Sequence, residues 1–372
     1  MPEPRGRLSL VFGRDLRARR WYLPRVPEAP ADPQVSAASA APPLVSVLVC
    51  TRDRSDGVEA AVRSIQRSTF TDFELLIIDQ SDDDRSKQAL APLCQADPRL
   101  TYVRRSVPGK PGALNQGFGL ARGKYLALTD DDCEVSAGWI QALVDAFEAE
   151  PHVGCVHGDV SAGPHDPTQG YIPVCRIERA HTISGLGEFL DSSQADWTNF
   201  GIGASMALRA DVVEAIGGCD PCIGPGTKFR TGDDTDIGVQ VLRLGYAMHF
   251  SPSAGVVHQG FRYWASSKAD VGRSGFAQGA IFVKHLRCGT FFRGSMFGVL
   301  DNVTTIAKRA LRGERPLGAA FAIGWARGAL AGLTHRIDRR TNQFVALDDA
   351  EARSFAHHIG EVVIPEGRPL NQ

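Results

Sequence analysis

Two groups of carboxylates in this sequence have the spacing of working chemistry. Asp130, Asp131 and Asp132 follow the apolar run KYLALT directly, and far along the chain Asp233, Asp234 and Asp236 open the segment TGDDTDIGVQVLRLGY. Three adjacent carboxylates at a strand end repel one another unless a cation or hydrogen-bond donors offset the charge. Magnesium and manganese suit oxygen ligands and keep coordination positions for a phosphate. The plainer reading of the triplet is a solvated acidic turn. Acids at a helix start often just complement the helix dipole, but a cap needs one of the three near Asp233, and a spare carboxylate there can act as general base toward an incoming hydroxyl. His258, ending the strand-like SPSAGVVH, is a candidate third metal ligand or a structural histidine. Metal-bound diphosphate beside a general base is the chemistry of group transfer.

Positioning these residues requires a scaffold whose strand ends converge. LVSVLVCT, FELLIIDQ, LTYVRR and KYLALTDDD read as buried strands, and GVEAAVRSIQRS and SDDDRSKQALAPLCQAD supply helices between them. PGKPGALNQGFGLARG reads as a glycine-punctuated loop leading into a helix that ends at Gly123. Such alternation predicts an α/β fold with a doubly wound, mostly parallel sheet flanked by helices. Ligands bind such sheets beyond the carboxyl ends of the strands. There the sequence places Thr51 to Arg54, Asp79 to Asp84 and Asp130 to Asp132. No GxGxxG and no GxxxxGK[ST] is found there, which removes the main support for dehydrogenase and P-loop readings.

The 41 basic and 42 acidic residues nearly cancel, which argues against a nucleic-acid binder. The balance is uneven along the chain, with 18 basic and 29 acidic residues from Leu44 to Gly260 but 14 basic and 4 acidic from Phe261 to Arg340. No run approaches the ~20 apolar residues of a membrane span, and the basic first residues lack the features of a secretory signal, so the expected location is the cytoplasm. Eight scattered cysteines read as reduced thiols. Cys219 and Cys222 have C-x-x-C spacing without a second pair and read as a structural loop. Lys228 and Arg230 either fold over donor phosphates or are solvated surface charge.

In their order, VSVLVCTRDR, FELLIIDQSDDD, GKPGALNQGFGLARGKYLALTDDDC, NFGIGASMALRADVVEAIGGCD, TGDDTDIGVQVLRLGY and VVHQG resemble the family 2 glycosyltransferases of the GT-A fold, over roughly Leu44 to Gly260. The resemblance implies an inverting, metal-dependent transferase using a nucleotide-sugar donor. It puts Thr51, Asp53 and Asp79 on the base and ribose, and Lys110 and Asn115 near the nucleotide. Asp130 and Asp132 become the acids of the DxD signature, with Asp131 between them, and Asp132 the principal ligand of Mn2+ or Mg2+, assisted by His258. The family's Glu-Asp pair is here Asp233-Asp234, which gives Asp234 the catalytic-base position with Asp233 as its substitute. Arg52 and Asp53 replace the family's frequent aromatic and Asn, leaving the base identity open. The Q-x-x-R-W motif of polymerising members is absent, so a single addition is expected. NFGIGAS either brings backbone close to the sugar or makes a tight strand turn.

The implied organisation is a flexible basic and Pro/Ala-rich segment at 1–43, a catalytic domain at 44–260, and a mostly helical basic extension at 261–372. That extension either holds the enzyme on the inner face of an anionic membrane or packs on the acidic catalytic domain. The expected role is cell-surface or extracellular glycan synthesis on a glycan or lipid-linked acceptor, without nucleic acid. The alternatives are a sugar-phosphate nucleotidyltransferase and an inactive relative serving as an assembly partner.

Overall fold

A computed structural model describes residues 41–186, 201–290 and 318–346, with positions 304, 308, 312 and 362–363. Most of the segment expected at 1–43, and Asn199 and Phe200 of NFGIGAS, fall outside the described residues. In chain order the first half comprises β1 (Val45–Thr51), α1 (Ser55–Gln66), β2 (Phe73–Asp79), α2 (Arg85–Ala96), β3 (Leu100–Arg104), α3 (Lys110–Leu120), β4 (Tyr125–Asp130), β5 (Cys133–Val135), α4 (Trp139–Ala149) and β6 (Val153–Ala162). There follow β7 (Gly170–Tyr171), β8 (His181–Ile183), β9 (Met206–Arg209), α5 (Ala210–Ile216), α6 (Asp233–Arg243), β10 (Ala247–His258), β11 (Arg262–Tyr263), α7 (Ser267–Arg287) and α8 (Ala319–Thr334). Short strands β12 (Ile337–Asp338), β13 (Gln343–Phe344) and β14 (Val362–Val363) come last.

The main sheet has the order β14-β3-β2-β1-β4-β9-β6-β10-β5, with β8 also pairing β10. The run β3-β2-β1-β4 is parallel, as is β6 with β10. Strand β9 enters antiparallel between β4 and β6, and β5 closes one edge antiparallel to β10. The sheet is therefore mixed but mostly parallel. Apolar residues fill both of its faces, as a parallel sheet covered by helices requires. Val45, Val47 and Val49 pack toward Ile65 and Trp139, while Leu48, Leu76 and Leu128 pack toward Val212 and Val241.

One boundary differs from expectation. Within PGKPGALNQGFGLARG, where a loop leading into a helix that ends at Gly123 is expected, the helix starts already at Lys110 and ends at Leu120. Gly109 at φ +131 turns the chain into it, and Pro111 stands in the first turn, where no intrahelical N–H is needed.

The residues after 260 are joined to the sheet domain by a shared core. Ala277, Ala280 and Ile281 of α7 and Phe344 pack with Cys222, Ile223 and Phe229. Helices α7 and α8 lie side by side in the same direction, Gly324, Gly328 and Gly332 resting on the backbone of Gly272, Phe276 and Ala280. Among the described residues no helix is long and apolar enough to cross a membrane.

Candidate active site

Strands β1 and β4 are neighbours in register, Cys50 opposite Asp130, so their carboxyl ends deliver Thr51 to Arg54 and Asp130 to Asp132 to one place. The Thr51 hydroxyl donates to Asp131 Oδ2 at 2.7 Å. Arg54 Nη1 spans the two following acids, 3.0 Å from Asp131 Oδ1 and 2.7 Å from Asp132 Oδ2. His258, brought in by the end of β10, places Nε2 3.3 Å from Asp132 Oδ1, and its Nδ1 is 2.8 Å from the Pro173 carbonyl. Burial opposes charge on Asp132, yet His258, Arg54 and Lys110 outweigh it and hold the carboxyl at about 2. Burial raises Asp131 despite Arg54 and Thr51.

The second acid pair arrives from the other side. Gly232, at φ +91, precedes α6, whose first turn carries Asp233 and Asp234. Asp234 Oδ2 accepts the Gly203 N–H at 3.0 Å and its Oδ1 accepts the Thr235 N–H at 2.7 Å, fixing the carboxylate. Lys110 sits where the two acid groups meet. Its ammonium bonds Asp130 and is held charged, against burial, by Asp130 and Asp233. A Cβ on Gly203 would lie 3.8 Å from Lys110 Nζ and 4.0 Å from Asp234 Oδ2, so that glycine borders both. Burial pushes Asp233 up to about 7, against the pull of Lys110, and likewise raises Asp234, which its two backbone donors resist.

Oxygen and imidazole donors fit a divalent cation here. Among the described residues Asp132, Cys133 and His258 form a group whose ligand atoms lie within 4.8 Å of one another. Cys133 belongs to the apolar core and burial raises its thiol, which leaves the carboxylate and the imidazole as the donors suited to Mn2+ or Mg2+. Gly260 completes the fit. A Cβ at that position would stand 2.6 Å from His258 Nε2 and 2.7 Å from Asp132 Oδ2, blocking the approach to both atoms.

Other residues expected to touch the nucleotide are engaged elsewhere. Asp79 is wholly buried and accepts from the Ser81 N–H at 2.8 Å, the Ser81 hydroxyl at 2.5 Å and the Tyr102 hydroxyl at 2.7 Å. It therefore shapes the loop after β2 and presents no surface to a base or ribose. Asn115 clamps both backbone groups of Cys219. Asp53 stays partly exposed at the loop tip with φ +56, its N–H bonded to Ser81 Oγ at 2.8 Å. Lys228 pairs with His335 at 3.1 Å and is neither free nor turned to the acids. Cys222 is buried 3.7 Å from His335 Nε2, as a structural loop requires. Asp236 is no cap: its Oδ1 meets Lys284 and His285 of α7.

Sequence reasoning places Arg54 after the first strand without giving it a role, and passes over Gly260. A loop arginine and a lone glycine carry no signal of their own; the strand register that brings them to the acids does.

The description "Glycosyl transferase family 2" matches residues 46–217. A glucosyl-dolichyl phosphate glucuronosyltransferase of Haloferax volcanii is 24% identical over 59% of this chain and 70% of its own. A GalNAc(5)-diNAcBac-PP-undecaprenol beta-1,3-glucosyltransferase of Campylobacter jejuni is 32% identical over 30% of this chain and 37% of its own. The chain spans 24% of an uncharacterised Sinorhizobium fredii protein that it matches at 26% identity. Among solved structures, a mannosyltransferase of Pyrobaculum calidifontis in complex with GDP-Man and Mn2+ superposes with TM-score 0.53 at 16% identity, covering 81% of this chain and 90% of that one. That likeness establishes the fold.

Proposed function

Since the chain belongs to glycosyl transferase family 2 through residues 46–217, and has the GT-A fold, we infer that it transfers a sugar from a nucleoside-diphosphate donor to an acceptor hydroxyl with inversion at the anomeric carbon. The observation that carries this reading is the meeting of Asp130 and Asp233 at Lys110, which sets the acids of β4 beside those of α6.

Asp234, held by the Gly203 and Thr235 N–H groups, takes the proton from the acceptor oxygen as that oxygen attacks. A carboxylate whose affinity for protons is raised by burial is a stronger base than one in water. Lys110 offsets charge on the departing diphosphate from the opposite side. Asp132 and His258 would hold a divalent cation, which when bound would supply further charge stabilisation for that leaving group. The backbone at Gly203 lets a sugar approach Lys110 and Asp234 together.

A lipid-linked acceptor is supported by the dolichyl phosphate and undecaprenol in the names of the two relatives. The outer face of α8 fits that setting. Ile323, Leu330 and Leu333 are 60%, 66% and 54% exposed, Arg327 is exposed on the same helix, and the exposed Arg336, Arg339 and Arg340 follow it in the chain. An apolar stripe with basic neighbours complements an anionic bilayer surface, and peripheral binding there, on the face of the membrane open to nucleotide sugars, is part of the proposal.

The test is calorimetric titration of the full chain with UDP, GDP, dTDP and CDP, each with and without Mn2+. Metal-dependent binding of one nucleotide is expected. Binding of none would overturn the reading and favour an inactive relative serving as an assembly partner.

A further inference from the structure

Arg54 lies among the acids in a way that the transfer chemistry does not require. Its single Nη1 atom contacts both Asp131 Oδ1 and Asp132 Oδ2. The two carboxylate side chains are 7% and 18% exposed, while the arginine side chain is 56% exposed. The acids are thus fixed in the protein and the guanidinium reaches in from solvent. Thr51 also holds Asp131, so that carboxylate keeps a partner if Arg54 leaves. On Asp132, Oδ2 is the oxygen left open beside His258 Nε2 by Gly260, and it is the same oxygen that Arg54 holds at 2.7 Å.

A guanidinium and a divalent cation that approach one carboxylate oxygen from the same side compete for its lone pair, because like charges at that separation repel strongly. We propose that Arg54 is a resident counter-ion of the acid triplet. It occupies Asp132 Oδ2 until a divalent cation arrives with the nucleotide, then releases that oxygen and turns its fork to the donor diphosphate.

The arginine is suited to both tasks. Its planar guanidinium presents donors that match carboxylate and phosphate geometry alike. It stands at the start of α1, in the loop after β1, so a rotation of its exposed side chain suffices and no helix need move. The exchange makes cation and diphosphate binding mutually supportive: the cation frees the arginine for the diphosphate, and the diphosphate draws the arginine off the cation's oxygen. This inference rests on the metal-dependent reading above and adds a residue that gates it.

Mn2+ binding to the full chain, read from the loss of the free-ion electron paramagnetic resonance signal, tests the exchange without any turnover. Wild type, Arg54→Ala and Arg54→Lys are titrated with Mn2+ alone and again with saturating UDP or GDP. Arg54→Ala is expected to bind Mn2+ alone more tightly, by about ten- to a hundredfold, the range set by losing one charge-assisted competitor. With Mn2+ present it should bind the diphosphate more weakly by a similar factor. Arg54→Lys, a point charge without the fork, should keep much of the competition with Mn2+ and lose the diphosphate gain. Unchanged or weaker Mn2+ binding by Arg54→Ala would show a static brace and overturn the proposal. If wild type binds Mn2+ with UDP or GDP but the variant shows no tightening, the gate alone fails. If neither protein binds Mn2+ under any condition, the metal-dependent reading fails and the gate with it.

Discussion

Lys284 Nζ lies 2.5 Å from Asp236 Oδ1 and 2.8 Å from Asp220 Oδ2, with all three side chains sealed from solvent. His285 adds a bond to the same Asp236 oxygen at 2.8 Å, and the Phe344 N–H donates to Asp220 Oδ2 at 2.7 Å. Asp236 stands in the first turn of α6, beside Asp233 and Asp234. The residues after 260 thus hold the helix that presents both candidate bases.

Lys284→Met is expected to leave two buried carboxylates without their cation and to cost about 3–5 kcal/mol, the usual consequence of breaking a buried pair from one side. Urea unfolding followed by circular dichroism measures it. The exposed Arg63–Glu59 pair on α1 provides the control, since Arg63→Ala should cost less than about 0.5 kcal/mol. Similar losses from both variants would mean that the buried network contributes little.

The two candidate bases separate by kinetics and by pH. Asp234→Asn should lower kcat by about 10²- to 10⁴-fold, the usual contribution of general base catalysis, while donor affinity stays within a few-fold. Asp233→Asn should do less. If the larger loss falls on Asp233, the roles are exchanged. Asp233 also predicts a stability effect with a definite sign. Its folded value of about 7 exceeds the ordinary 3.8, so the folded chain holds a proton that the unfolded chain has released. Stability then declines as pH climbs through that interval, and the decline is complete above about 7. Asp233→Asn removes the dependence, so its melting temperature should exceed that of wild type at pH 8 and approach it near pH 4. A constant difference between those pH values would assign the shift elsewhere.

Strands β1 to β4 were legible because each is a buried run between helical segments. The antiparallel entry of β9 was not, since four residues of MALR carry no direction in their pattern. Asp130 to Asp132 and Asp233 to Asp234 announced themselves as clusters of like charge that need compensation. Their compensators did not. Lys110 and Arg54 are ordinary basic residues until strand register and the start of α3 bring them to the acids. Asp79 is the converse case: the pattern places it at a strand end, but the Ser81 N–H and hydroxyl and the Tyr102 hydroxyl hold it in the interior, and the arrival of those partners is a tertiary property. The network around Lys284 was equally hidden, because its partners come from segments far apart in sequence.

Gly260→Ala tests the cation site at a residue that ligates nothing. The added methyl would lie within 2.7 Å of His258 Nε2 and Asp132 Oδ2, too near for an ordinary contact. Gly260 follows β10 and is half-buried, so the melting temperature is measured alongside binding and should show that the fold survives. Mn2+-dependent binding of the nucleoside diphosphate should fall by at least about tenfold, equivalent to ~1.4 kcal/mol. Binding that is unchanged by the methyl would place the cation away from the His258–Asp132 edge.

The exposed face of α8 makes a prediction independent of the chemistry. Leu330 and Leu333 point away from the glycine seam, so Leu330→Glu and Leu333→Glu should leave the melting temperature nearly unchanged, as surface substitutions do. Together they remove two apolar anchors and add two negative charges opposite an anionic surface, where each charge near the headgroups is worth about 1 kcal/mol. Co-sedimentation of the wild-type chain with vesicles of phosphatidylcholine and phosphatidylglycerol should be clear at low salt and weaken as salt rises, because the basic residues are screened. The double variant should remain in the supernatant. Wild-type chain that ignores these vesicles, or a double variant that still sediments with them, removes the bilayer from the account of this face. A double variant that instead changes from dimer to monomer would assign the stripe to a second copy of the chain.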